Sequence, residues 1–283
     1  MSQTQHIYDL HCHSIASDGV LSPTELVQRA YEKGVTVLAL TDHDTIAGVA
    51  EAKKQAKLLG VKLVNGVEIS TVWENQSIHI VGLGFELSHP KMLELLMTQA
   101  ALRDSRAQEI GNKLIKIGVE NAYAEAKKLA KNGEVTRAHY ARYLVQIGKV
   151  SNEGQAFKRY LGQGKFAYIK PQWADIPTAI NIIHQAGGIA VLAHPLRYHL
   201  TAKRVKKLIT EFKQWGGDGM EIANCGQKTE QRQLLARWAN EIGLLASLGS
   251  DFHFPCGWIE LGKNLQLPDT VTPIWTLPHF NID

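Results

Sequence analysis

Short apolar runs alternate with longer stretches of helical periodicity along most of the chain. VTVLAL (35–40) reads as a buried strand, because it is apolar almost throughout and too short for a helix. The preceding SPTELVQRAYEKG reads as a helix with both ends marked. Ser22 is the N-cap, Pro23 takes the first helical position, Glu25 completes a capping box and Gly34 closes the last turn. A second helix follows over 45–60, also ending on glycine. Further strands are expected at 61–70, 77–87, 189–195, 219–225 and 244–253, with IYDL before them at the start of the chain. Helices are expected near 176–186, 201–215 and 228–242, and a largely helical stretch runs from Pro90 to about residue 165.

Strands separated by helices imply a parallel sheet with crossover helices. About seven strands over this length point to a barrel-like β/α fold rather than a small open sheet. The stretch from 100 to 168 breaks the rhythm and reads as an inserted helical subdomain, so the barrel would comprise residues 1–99 and 169–283.

Charge sharpens that division. The chain as a whole carries +4, but residues 101–170 hold 14 Lys and Arg against 6 Asp and Glu, a net of +8, leaving −4 for the rest. A basic insert on a mildly acidic barrel suggests an anionic partner for the insert, against the plainer reading of a solvated basic face. With 283 residues, 45% of them hydrophobic, the chain can bury a large core without disulfide staples. Cys12, Cys225 and Cys256 are odd in number and scattered, which is neither a disulfide framework nor a structural zinc pattern. No signal peptide or membrane span is visible in the sequence, so a reducing cytoplasm is the expected home. No obligate protein partner is evident.

The candidate chemistry sits where the strands end. His11 and His13 follow IYDL, with Asp18 five residues on. Asp42, His43 and Asp44 end VLAL, Glu68 ends VKLVNGVE, His79 lies in SIHIVG, His194 ends IAVLAH, and Asp251 and His253 end LLASLGSDFH. In a β/α barrel the C-terminal strand ends gather on one face, which carries catalytic residues. Imidazole nitrogen and carboxylate oxygen suit borderline divalent metals. His11 and His13, two apart on a strand, point the same way. So many ligands exceed what one ion takes, which implies a cluster of two or three. A lone strand histidine is usually core or surface; this ordered series at strand ends is not. Cys12, between two candidates, points the other way and reads as packing. The remaining histidines, His6, His89, His184, His199 and His279, take the plain reading, with His139 a possible exception.

The motifs DLHCHS, TDHDT, GVEIS, AHP and GSDFH resemble the ordered motifs of the PHP (polymerase and histidinol phosphatase) superfamily. GVEISTVWENQSIHIVGL, VTRAHYARYL and GSDFHFPCGWIELGK are similar to one branch, the bacterial nucleoside 3′,5′-bisphosphate phosphatases, also described as the 5′-to-3′ exoribonuclease RNase AM. The resemblance implies a distorted (β/α)7 barrel with three divalent ions, usually manganese, with zinc or iron as alternatives. It implies that His11, His13, Glu68 and Asp251 hold the first ion. Glu68 would bridge to a second, held with His79 and His194. Asp18, His43 and His253 would hold the third. Asp42 and Asp44 are not assigned as ligands, and Asp44 is expected to cap the following helix. The chemistry implied is attack by metal-activated hydroxide, with no side-chain nucleophile. The substrates implied are nucleoside 3′,5′-bisphosphates and short 5′-phosphorylated RNA. The 5′-phosphate would then need its own cationic subsite, for which Arg137, Arg142 and His139 of the insert, with Lys170 and Arg197, are the candidates. Three competing readings remain: a histidinol-phosphate-type phosphatase, a non-catalytic nucleotide-binding module, and an amidohydrolase-like hydrolase. The last lacks an obvious place for its usual lysine ligand.

Overall fold

A computed structural model describes residues 6–131, 133–278 and 280. His279 and residues 1–5, where a leader would begin, lie outside the described residues. The elements run β1 (Tyr8–Cys12), α1 (Pro23–Glu32), β2 (Val37–Leu40), α2 (Val49–Leu59), β3 (Lys62–Trp73) and β4 (Gln76–Leu83). Then come α3 (Pro90–Ile115), α4 (Ala122–Ala130), α5 (Arg137–Gln146) and α6 (Glu153–Ala156), which runs into a π-helical turn over Phe157–Leu161. The chain returns with β5 (Ala174–Asp175), α7 (Ile176–Gln185), β6 (Ile189–Leu192), α8 (Ala202–Gln214), β7 (Gly219–Ala223), α9 (Thr229–Ile242) and β8 (Leu245–Leu248).

Seven strands form a nearly closed barrel in the order β1-β2-β3-β4-β6-β7-β8, and the short β5 pairs with β3 off this path. The seam between β8 and β1 closes just past the strand ends, where His13 N donates to Phe252 O (2.9 Å) and Asp251 N to His11 O (2.8 Å). A Cβ on Gly249 would lie 2.2 Å from the His11 Cβ, so glycine is what lets the two edges meet. Interior-facing Leu10, Ala39, Val64, Val81, Val191 and Leu248 fill the barrel. Cys12 points outward and is fully buried with Leu26, Val27 and Leu38 under the first two helices.

The sheet is not wholly parallel. β4 pairs antiparallel with both β3 and β6. Only Glu74 and Asn75 link β3 to β4, at φ of 44° and 65°. Two residues make a hairpin and cannot make a crossover. The reversal corrects two expectations. Glu68 does not end its strand, since β3 runs on to Trp73. His79 lies in the first half of β4, opposite Ser70; a reversed strand brings its N-terminal end to the face where its neighbours end. Asp44 also departs from expectation. Helix α2 starts at Val49 with no side-chain cap, and Asp44 is buried, accepting from Ser70 N (2.7 Å) and paired with Arg103.

Helix α3 belongs to two cores. Met92, Leu95 and Leu96 pack with the outer layer of the barrel. Ala107, Ile110 and Leu114 pack with α4 and α5 around the fully buried Tyr140. The helical segment thus has its own apolar centre, and α3 joins it to the barrel without a break.

Candidate metal centre

Glu68 is fully buried at the centre of the catalytic face. Five imidazoles surround its carboxylate: His43 at 2.9 Å, His79 and His194 at 3.0 Å, and His11 and His13 at 3.3 Å. Burial pushes the Glu68 carboxyl up, but the His11, His79 and His43 rings outweigh it and hold the group well below the usual carboxylate range. Asp251 Oδ1 lies 3.2 Å from His13 and 3.5 Å from His11. Asp18 faces His253 at 3.3 Å and His43 at 3.9 Å. His194 and Asp251 adopt φ of 29° and 54°, a left-handed backbone that costs an L-residue energy and clusters at functional sites.

Divalent ions fit this donor set. Four groups of nitrogen and oxygen atoms each lie within 4.8 Å of one another: His11/His13/Asp251, His11/Glu68/His194, His43/Glu68/His79 and His13/Asp18/His43/His253. Opposed ligands at metal–ligand lengths of about 2.2 Å would be about 4.4 Å apart. The hydrogen bonding agrees. Glu68 Oε2 and His43 Nδ1 are 2.9 Å apart, yet both are buried and neither makes a hydrogen bond. Buried polar atoms without partners are costly, and a cation shared by the two would relieve that cost. All nine residues expected as ligands stand in this cluster. His11, His13 and His43 each reach two groups, so the sets overlap more than the sequence pattern implies.

Several residues that shape the cluster escaped the sequence reading. Glu221, at the catalytic end of β7, accepts from His11 Nδ1 (2.5 Å) and from the His194 backbone N (2.7 Å), and Asn224 steadies it (2.9 Å). This fixes the His11 tautomer and leaves Nε2 as the ligand atom. Asp9 ties β1 to the loop after β8 through Ser250 N (2.8 Å) and Gly262 N (2.9 Å). Asp42 is not a ligand; it takes the Ser14 and Ser17 hydroxyls at 2.6 Å each and so shapes the Asp18 loop. A carboxylate in the middle of an otherwise apolar strand was the available signal for Glu221.

A pocket of about 110 Å³ opens beside Asp18, His43 and His79, walled by Arg103, Arg106, Arg137 and Trp173. It adjoins a groove of about 720 Å³ that shares Arg106, Arg137 and Phe157 and continues past Tyr168, Arg197 and Tyr198. Trp173 carries Arg103 and Arg106 over its ring at 5.2 and 5.5 Å. Burial and the neighbouring Arg137 and Arg103 charges oppose the charge on Arg106. A guanidinium does not give up its proton in proteins, so the charge stays, and an anion bound beside it would offset the cost. Among the described residues neither Arg106 nor Arg137 makes a close ion pair with a carboxylate; Arg106 Nε donates to Ile169 O (3.0 Å), and Asp18 attracts Arg137 only from a distance.

The other expected cations are placed differently. Arg197 lines the groove and pairs with Asp251. Arg142 donates to the Asp18 backbone O (2.6 Å), supporting the ligand loop rather than the pocket. His139 is buried, and its Nδ1 accepts from Thr136 N (3.0 Å) as part of the α5 capping box. Lys170 lines neither the pocket nor the groove but a neighbouring cavity of about 310 Å³ with Lys113 and Glu109, which shares Arg106 and Tyr168 with the groove.

With this geometry in view, known proteins give a consistent match. The model of the PHP domain family matches residues 9–222. A 5′-3′ exoribonuclease of Haemophilus influenzae is 70% identical over 95% of this chain and 97% of its own. A 3′,5′-nucleoside bisphosphate phosphatase of Chromobacterium violaceum is 39% identical over 94% of each chain. A solved structure from the same organism, described as an amidohydrolase with bound sulfate and no metal, superposes with a TM-score of 0.90 at 39% identity over 95% of each chain.

Proposed function

The chain belongs to the PHP domain family, and from that premise we propose a metal-dependent phosphoesterase that acts on two related substrates. It removes the 3′-phosphate of nucleoside 3′,5′-bisphosphates, and it degrades short 5′-phosphorylated RNA from the 5′ end. The observation that carries this reading is the pocket directly against the cluster whose walls include Arg106 and Arg137, two guanidinium groups without a carboxylate at ion-pair distance among the described residues. A phosphomonoester needs one anion site. A bisphosphate, or an RNA with a 5′-phosphate, needs two at a set separation.

Arg106 and Arg137 take the 5′-phosphate, their buried charge offset by its oxygens. Phe157, shared by pocket and groove, gives the nucleoside an apolar wall. His11, His13, Asp18, His43, Glu68, His79, His194, Asp251 and His253 would hold three divalent ions, most simply manganese, which would supply charge neutralisation and activated water. The chain's part is to hold the 3′-phosphate there. Glu68 and the imidazoles fix the reacting position, Glu221 orients His11, and the Arg197–Asp251 pair sets the cluster's edge. No side-chain nucleophile is required, and the Ser70 hydroxyl is already engaged by Arg103 (2.7 Å). Among the described residues no helix is long and apolar enough to cross a membrane. The three cysteines are unpaired, which supports a reducing cytoplasm.

The test is phosphate release with Mn²⁺ from adenosine 3′,5′-bisphosphate against 3′-AMP, 5′-AMP and histidinol phosphate. The expected result is preference for the bisphosphate with 5′-AMP as product. Arg106→Ala should reduce kcat/KM for that substrate by about 10–100-fold, a loss of about 1.5–3 kcal/mol of charged hydrogen bonding, and barely change it for 3′-AMP. Preference for histidinol phosphate, or equal loss on both nucleotides, would reject the arginine subsite.

A further inference from the structure

Phe254 and Trp258 stand on the loop that follows the ligand candidate His253, and both side chains are exposed, Trp258 by 69%. The loop is braced. Phe252 at its base is fully buried, and Arg29 grips Glu260 at its far end at 2.9 and 2.7 Å. Lys263 Nζ closes the turn on Gly257 O (3.0 Å). Val20, also exposed, donates its N–H to His253 O (2.9 Å) and extends an apolar rim along the cluster. A single exposed aromatic needs no explanation, but two on one braced loop beside a reactive centre mark a binding surface.

The strand order sets the base of this loop apart from the two strands that contribute to the arginine pocket. Ser70, Ser77 and His79 of β3 and β4 contribute to the pocket of Arg106 and Arg137, and Asp18, which faces His253 at 3.3 Å, links it to the loop through the cluster. In the ring β1-β2-β3-β4-β6-β7-β8, β8 is three strands from β3 one way and three from β4 the other. That is the largest separation seven strands allow.

Under the proposed function the same bond breaks in both substrates. Water adds its oxygen to phosphorus, the P–O3′ bond breaks, and a proton goes to the 3′ oxygen. The substrates differ in what else the phosphate carries. In the bisphosphate it carries nothing; in RNA it carries the next nucleoside, which must lie beyond the cluster from the 5′-phosphate.

We propose that the Phe254–Trp258 loop is the stacking platform for the nucleoside on the 3′ side of the scissile phosphate. This rests on the nucleotide reading above. The segment Phe254–Trp258 has no charged side chain, so it offers ring faces rather than base-edge contacts. Every base has a π-face, and such a platform accepts any sequence.

The experiment compares wild type, Phe254→Ala and Trp258→Ala on adenosine 3′,5′-bisphosphate and on a 5′-phosphorylated oligoribonucleotide. The RNA-to-bisphosphate ratio of kcat/KM should fall about tenfold in each variant, as loss of one base–aromatic stack predicts. Trp258→Phe should restore most of it. An unchanged ratio overturns the platform. So does an unchanged ratio accompanied by a shift in oligomeric state by sedimentation, which would assign the loop to contact between copies of the chain. Failure of the wild type to cleave RNA would sink the underlying reading as well, and would show before any variant is compared.

Discussion

His11 meets Glu221 across 210 residues of sequence, and that contact turns one histidine among twelve into an oriented ligand. Without the acceptor, the ring could protonate either nitrogen and swing. Glu221→Gln keeps the size of the side chain but loses the charge that holds the Nδ1 proton. Metal affinity should fall about 10–100-fold, with the thermal unfolding of the metal-free protein nearly unchanged. Calorimetric titration with Mn²⁺ reads the first and circular dichroism the second; unchanged affinity would leave Glu221 a packing residue. The nine ligand candidates could be named from sequence because histidines and carboxylates recurring in order at strand ends are rare without a metal. Glu221 and Arg106 could not, because one more Glu and one more Arg carry no mark until the residues they face are known.

At the scale of elements, α5 shows how a chemically suggestive residue can be structural. His139 sits where a capping box has Glu or Gln, and its unprotonated Nδ1 accepts the Thr136 N–H. Burial lowers its pKa to about 4, against about 6.5 in an unfolded chain. Because the folded pKa is depressed, His139's contribution is complete above pH 6.5 and is lost as the pH falls toward 4, by up to about 3 kcal/mol. His139→Gln should keep the cap, hold stability at pH 7 within about 1 kcal/mol, and remove that acid-sensitive loss. Urea midpoints at pH 7 and pH 5 for both proteins would show it; equal acid losses would refute it. The same scale explains the misread sheet. Helix α1 announces itself through Ser22, Pro23, Glu25 and Gly34, each a local signal. The β3–β4 turn is Glu74–Asn75, without the glycine that usually marks a two-residue hairpin, so the reversal of β4 was not legible.

For the whole molecule, the decisive joint is where α3 crosses the barrel. Arg103 pairs with Asp44 and donates to Ser70 Oγ (2.7 Å), while Gln99 donates to Ser70 O (2.6 Å). Both Arg103 and Asp44 are buried, and His43, beside Asp44, faces Glu68 in the cluster. Arg103→Met leaves the carboxylate without its cation and should cost about 3–5 kcal/mol, toward the lower end because Ser70 N and Gln99 still donate. Adding Asp44→Asn should recover part of that loss, and denaturant unfolding of the single and double variants checks the coupling. Additive losses would mean the pair does not act as a unit. The sequence by itself determined the barrel class, the excess of positive charge over residues 101–170 and which residues stand as ligand candidates, because hydrophobic period, composition and residue type are local properties of the chain. Only the tertiary structure decided which strand runs backwards, that Arg142 and His139 turn to structural partners while Arg106 faces the pocket, and that Phe254 and Trp258 stand exposed on the loop after His253. Those facts depend on distances between residues far apart in sequence, which closure of the barrel sets and no local pattern encodes.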